Sequence, residues 1–171
     1  VARELVGLLK PWNCPITALA PDLTAQLARA YGVDRAASID ALFSQNEIIV
    51  ELAPLIPATT GLITERVLRL IRPGGVFVNV GRGAVVDEDA LLRVAREGRV
   101  TIGLDVYTRE PLPADSGFRA LPKVSLTPHT AGPTIDRYPD AGAFAVKNLR
   151  AHVEDRPLEA VVTPEIYDQS S

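Results

Sequence analysis

Val76-Phe-Val-Asn-Val-Gly-Arg-Gly-Ala-Val-Val-Asp87 is the stretch on which the fold turns. It opens as an apolar, β-branched run, the pattern of a buried strand. It breaks at Gly81-Arg82-Gly83 and restarts as a helix at Asp87. One arginine therefore stands just past the carboxyl end of a strand, with a glycine on each side. In open α/β sheets that edge is where ligands bind. Glycines let the backbone turn and be approached closely, and a guanidinium offers a planar fork to a carboxylate or phosphate. A plain surface arginine in a loop is the competing reading of the stretch taken alone.

Outward from this point, strands and helices alternate. Upstream, an amphipathic helix with Ala2, Leu5, Val6 and Leu9 at helical spacing ends near Lys10-Pro11. A short strand at 16–20, a helix at 23–31 stopped by Gly32, a turn at 39–43 capped by Ser38, and a strand at 47–52 follow. A proline-broken loop runs from Ala53 to Gly61, and Thr64 is placed to cap a helix through Ile71. Downstream, Asp87 caps a helix with acids in its first turn and Arg96 in its last. Strands are expected at 100–106 and 123–126, then a helix from Tyr138 or Asp140 to Glu154 and an extended tail from Pro157. Alternation of this kind means βαβ units, a parallel sheet and right-handed crossovers.

The bulk numbers set limits on function. The chain has 171 residues, 47% hydrophobic and 23% charged, with a net charge of −3 and the two signs interspersed. Such a surface argues against nucleic acid and against a polybasic membrane anchor. No apolar run approaches the roughly 20 residues of a membrane helix. Cys14 is the only cysteine, so no internal disulfide is possible, and a reducing, cytoplasmic location fits. Two well-separated histidines and one cysteine make no metal cluster. Methionine is absent, and the sequence opens inside a helix with no cap before it, the pattern of a piece of a longer protein.

The candidate chemistry lies at strand ends. His129, in Leu126-Thr-Pro-His-Thr-Ala-Gly132, follows a short strand, and Pro128 fixes its exit. His152, among charged neighbours in the last helix, reads as a solvated surface residue. Glu110 follows the strand that ends near Tyr107, and Pro111 stiffens its exit. Asp105 stands inside that strand, where aspartate is disfavoured, and is expected to face a ligand or a partner. Arg82, Glu110 and His129 thus follow three separate strands at one edge. A carboxylate beside an imidazole fixes its tautomer, and an arginine nearby holds an anion, a set that suits proton transfer on a small carboxylate. Spacing does not say which reaction. No Gly-x-Ser-x-Gly elbow is present, and the dinucleotide fingerprint Gly-x-Gly-x-x-Gly is absent.

Four segments carry a resemblance. Leu55-Ile-Pro-Ala-Thr-Thr-Gly-Leu-Ile63, Arg72-Pro-Gly-Gly-Val-Phe-Val-Asn-Val-Gly-Arg-Gly-Ala-Val-Val-Asp-Glu-Asp-Ala-Leu91, Gly103-Leu-Asp-Val-Tyr-Thr-Arg-Glu-Pro111 and Thr127-Pro-His-Thr-Ala-Gly132 resemble the successive signatures of the D-isomer-specific 2-hydroxyacid dehydrogenases. The resemblance implies a Rossmann-type doubly wound parallel sheet and hydride transfer between NAD or NADP and a small 2-hydroxy or 2-oxo acid. By position, His129 resembles the acid/base, Glu110 its carboxylate partner and Arg82 the holder of the substrate carboxylate. Asp105 resembles a contact to the nicotinamide carboxamide, and Pro54, Thr59, Val80, Gly81 and Gly132 resemble cofactor-lining positions. A homodimer is likewise implied. Ala20 stands where the family usually has an acid for the ribose hydroxyls, so either Asp22 meets them or the cofactor is NADP.

Val1 matches a point inside the helix after the family's glycine loop. On this reading residues 1–154 are a nucleotide-binding domain without its first strand and glycine loop, and 155–171 are a tail returning toward a substrate domain. Two further readings accompany the enzyme: a nucleotide-sensing binding protein like the family's corepressors, and an inactive truncated product.

Overall fold

In the computed structural model, residues 1–132 and 134–168 are described. In chain order the elements are α1 (Ala2–Leu9), β1 (Thr17–Ala18), α2 (Ala25–Tyr31), β2 (Asp34–Arg35), α3 (Ile39–Gln45), β3 (Ile48–Glu51) and α4 (Glu65–Leu68). They continue with β4 (Val76–Asn79), α5 (Glu88–Arg96), β5 (Thr101–Leu104), β6 (Val124–Leu126), α6 (Tyr138–Val153) and α7 (Pro164–Tyr167). Short polar side chains begin four of the helices: Thr24 accepts from the Leu27 N–H at 3.2 Å, Ser38 from Ala41 at 3.1 Å, Asp87 from Ala90 at 2.9 Å and Thr163 from Ile166 at 3.3 Å.

The strands form two parallel sheets among the described residues, β1–β2 and β3-β4-β5-β6. In the larger sheet Ile48 pairs with Val76, Phe77 with Ile102 and Leu104 with Leu126. Period-two alternation then sorts the side chains. Ile49, Phe77, Ile102 and Leu104 are buried and join Phe43 of α3, Val67 and Leu68 of α4, and Leu91 and Val94 of α5 in one core. Phe43 and Phe77 meet with ring centroids 6.1 Å apart. Ile48 and Val50, on the other face, are exposed. Because the four strands run the same way, their carboxyl ends share one edge, and the segments after 51, 79, 104 and 126 all leave from it.

Several elements differ from the sequence-based expectation. β1 covers two residues of the five expected at 16–20. α4 is a single turn, and Thr64 makes no side-chain cap; the Leu68 N–H bonds the Thr64 carbonyl at 3.0 Å instead. β5 stops at Leu104, so Asp105 lies past the strand rather than inside it. The tail is not wholly extended, since Thr163 accepts from the Ile166 N–H at 3.3 Å and starts α7. The last three residues of the tail lie outside the described residues.

Phe77 is fully buried at the centre of this core. Phe77→Ala is therefore expected to cost about 3–5 kcal/mol in urea unfolding of the natural protein. A loss below about 1 kcal/mol would place the core elsewhere.

Candidate active site

The loop after β4 is shaped by Asn79, 1% exposed. Its Oδ1 accepts from the Gly81 N–H at 3.1 Å, and its Nδ2 donates to the Arg82 carbonyl at 3.2 Å. Two close approaches require the glycines. A Cβ on Gly81 would overlap the Glu51 carboxyl, and one on Gly83 would overlap the Tyr107 peptide. The second contact presses the Arg82 loop against the loop that carries Glu110. Arg82 itself is half-buried, with Nη1 donating to the Gly81 carbonyl at 2.9 Å.

Glu110 and His129 come together across their two loops. Glu110 Oε2 is 2.6 Å from His129 Nδ1, and Oε1 accepts from the Tyr107 N–H at 3.0 Å. The His129 bond, helped by the Tyr107 N–H, holds the Glu110 carboxyl below the usual glutamate range. An ionised carboxylate only accepts, so Nδ1 carries the proton and a neutral imidazole has its lone pair at Nε2. The pair is partly open to solvent, with side chains 45% and 36% exposed. It borders a cleft of about 450 Å³ lined in part by Leu112, Arg119, Leu126 and Pro128.

Asp105 builds the turn on which His129 sits. It is 3% exposed. Oδ1 accepts from the Thr127 hydroxyl at 2.5 Å and the Thr130 N–H at 2.8 Å, and Oδ2 from the Ala131 N–H at 2.8 Å. Burial pushes its carboxyl up, but these donors outweigh burial and leave it below the ordinary aspartate range. His129 takes a left-handed backbone, φ 55°, within this turn. The Tyr107 hydroxyl adds bonds to the Thr127 carbonyl at 2.8 Å and the Leu104 carbonyl at 3.1 Å. The expectation that Asp105 faces a ligand or partner thus meets a different geometry: both oxygens serve the chain's own turn.

The remaining expected residues divide. Thr59 donates to the Pro54 carbonyl at 2.6 Å and accepts from the Ile56 N–H at 2.9 Å, so both shape one half-buried loop leaving the same edge. Val80 is half-buried beside them, and Gly132 is exposed beyond the His129 turn. Asp22 is exposed after β1, in the smaller sheet. His152 is exposed on α6, as expected. Asn79, Tyr107, Thr127 and Glu51 were not singled out from the sequence. A polar residue in each of two apolar strands, Asn79 and Glu51, was the available signal. Among the described residues, no group of three or more His, Cys, Asp or Glu is placed to hold a metal.

The Glu110–His129 pair and the Arg82 loop, packed against the Glu110 loop through Gly83, all follow strands at the carboxyl edge of a parallel sheet, the edge at which ligands bind in open α/β folds. Residues 1–131 match the family model described as D-isomer specific 2-hydroxyacid dehydrogenase, NAD binding domain, and the chain belongs to that family. It is 37% identical over 133 residues to the glyoxylate/hydroxypyruvate reductase B of Pectobacterium atrosepticum, covering 77% of this chain and 42% of that protein. The chain thus spans about two fifths of the length of this curated relative. Among solved structures, the apo D-mandelate dehydrogenase of Rhodotorula graminis shares the fold with a TM-score of 0.85 at 23% identity, over 99% of this chain and 50% of that one. A probable 2-hydroxyacid dehydrogenase of Rhizobium etli, solved with NADP, HEPES and L(+)-tartaric acid, gives a TM-score of 0.78 at 27% identity, over 94% and 51%.

Asp105→Asn keeps the side chain's size and removes its charge. Charge-assisted bonds of this kind contribute about 1.5–3 kcal/mol, and that loss is expected in urea unfolding at pH 7. A lowered folded-state pKa contributes stability that is present above the unfolded aspartate range and lost as pH falls through the folded value. The wild-type and Asp105→Asn stabilities should therefore converge below the ordinary aspartate range. A gap that stays constant down to pH 3 would contradict the charge argument.

Proposed function

We propose that the natural protein carrying this chain transfers a hydride between NAD(H) or NADP(H) and a small D-2-hydroxy or 2-oxo acid. The observation that carries the reading is the 2.6 Å contact of Glu110 Oε2 with His129 Nδ1, on a loop that touches the arginine loop through Gly83. Glu110 orients the ring and fixes its tautomer, with the Nδ1 proton toward the carboxylate. In oxidation, His129 Nε2 takes the hydroxyl proton; in reduction, the imidazolium returns it to the carbonyl oxygen. Arg82 holds the acid's carboxylate as a guanidinium fork.

The residues at this edge fit the nicotinamide end of a dinucleotide. Pro54 and Val80 supply half-buried apolar surface, while Thr59 and the Gly81 backbone frame it. When bound, the nicotinamide supplies the hydride donor or acceptor at the substrate's second carbon. Asp105 belongs to this reading chiefly as the anchor of the His129 turn, with Gly132 just beyond. Ala20 places no charge against a 2′-phosphate, and Asp22 is the nearest acid for ribose hydroxyls. The choice between NAD and NADP therefore falls to Asp22, and paired NADH and NADPH titrations of Asp22→Ala test it.

Glyoxylate and hydroxypyruvate are the first acids to try, since the bacterial relative is named for them. In the same proposal, residues 1–154 form the nucleotide-binding domain, residues from 155 onward lead back toward a substrate domain, and two copies pair as a homodimer. Sedimentation of the natural protein tests the last point.

With NADH and a 2-oxo acid followed at 340 nm, His129→Ala is expected to lower kcat by about 10²–10⁴ while NADH still binds. Arg82→Ala is expected to raise the 2-oxo acid KM and lower kcat together. Full kcat/KM in either variant would remove that residue from its role. No turnover by the wild-type protein, with NADH binding intact, would favour nucleotide sensing instead.

A further inference from the structure

Glu51 ends β3 and is 7% exposed, although Ile48, Ile49 and Val50 before it are all aliphatic. Its Oε1 accepts from the Ala53 N–H at 2.6 Å. Its Oε2 is buried with no hydrogen-bond partner among the described residues and lies against Gly81, where a Cβ would overlap it. Burial pushes this carboxyl up, and the Ala53 and Arg82 backbone N–H groups act against that shift. Burying a carboxyl costs free energy that its few donors only partly offset, whereas a leucine at the end of such a strand carries no such cost. The roles already given to Arg82, Glu110 and His129 make no use of it.

The neighbours of Glu51 show what it holds. From β4, Asn79 grips the Gly81 N–H and the Arg82 carbonyl. From β3, Glu51 covers the other side of the same segment and ties down Ala53, the residue before Pro54. The Arg82 loop is thus held between an amide and a carboxyl on adjacent parallel strands. We propose that Glu51 is a positioning residue for Arg82, clamping the Gly81–Arg82 segment to the exit of β3 and so setting where the guanidinium stands. What Arg82 then binds, a 2-oxo acid carboxylate, rests on the function proposed above; the clamp itself rests on backbone geometry.

The test uses the natural protein with Glu51→Ala, Glu51→Gln and, as reference, Arg82→Ala. Two quantities are read: backbone amide exchange at residues 81–83, and the KM for the 2-oxo acid beside the NADH Kd. Glu51→Ala is expected to speed exchange at Arg82 tenfold or more and raise the 2-oxo acid KM tenfold or more, with the NADH Kd, read through Pro54 and Gly81, rising by a smaller factor. Glu51→Gln keeps an acceptor oxygen in the same shape and is expected to hold both quantities within threefold of wild type. Should Glu51→Ala not fold, Glu51→Leu, filling similar volume without an acceptor, carries the same expectation.

The clamp is overturned if exchange and KM stay at wild-type values without the carboxyl while Arg82→Ala raises KM; the function reading then stands. It is equally overturned if Glu51→Ala lowers only Tm and kcat, or if glutamine fails to rescue. If the wild-type protein turns over no 2-oxo acid, the function reading falls, and exchange alone decides the clamp: faster exchange in Glu51→Ala with rescue by glutamine upholds it, and unchanged exchange removes it.

Discussion

The carboxylate of Asp105 is the constraint on which the rest of the site depends. Its two oxygens take three donors from residues 127–131 and thereby join the end of β5 to the turn after β6. That junction, more than the His129–Glu110 contact, holds His129 in a left-handed backbone facing Glu110, because the contact itself is partly solvated and so individually weak. The Tyr107 hydroxyl reinforces the junction from below by bonding the Thr127 carbonyl. A buried, well-satisfied charge thus does the positioning, while the open, titratable pair is left for chemistry.

The same division recurs one strand away. Asn79 is buried and satisfied, and it shapes the loop that carries the half-buried Arg82. Parallel register makes the division possible, since β4 and β5 each place a buried polar residue at or just past their ends, Asn79 and Asp105, and a less buried candidate residue a few positions on, Arg82 and Glu110. The core beneath, centred on Phe77 and Leu68, fixes the spacing of the strands that carry them.

How much of this was legible in the sequence follows from which interactions are local. The break from a β-branched run into Gly81-Arg82-Gly83 put Arg82 at a strand end, because strand pattern and glycine turn are both short-range signals. Pro128 did the same for His129. Ser38 and Asp87 caps were legible for the same reason, and both are made. Thr64 was not, because the single turn of α4 is set by packing against α3 and α5 rather than by its own cap. Asp105 was placed inside a strand since nothing local shows that pairing stops at Leu104; the donors that claim its carboxylate lie more than twenty residues on. Glu51 and Tyr107 went unremarked because part of what they touch, Gly81 for the one and the Thr127 carbonyl for the other, comes from loops after other strands. The family resemblance assigned roles to residues but no contacts among them, and contacts are what the fold supplies.

The packing of Gly83 against the Tyr107 peptide has a consequence for selectivity. Tyr107 also donates its N–H to Glu110, so the segment that carries Arg82 and the loop that carries Glu110 are two pieces of backbone packed directly on each other. Such a packing works as a ruler. In the proposed reaction that packing would set the separation between the group that holds the carboxylate and the imidazole that serves the carbonyl, favouring acids that carry the two on adjacent carbons. The substituent beyond those carbons is not gauged by this ruler, so chemical variety among the acids accepted would be sorted by other parts of the protein.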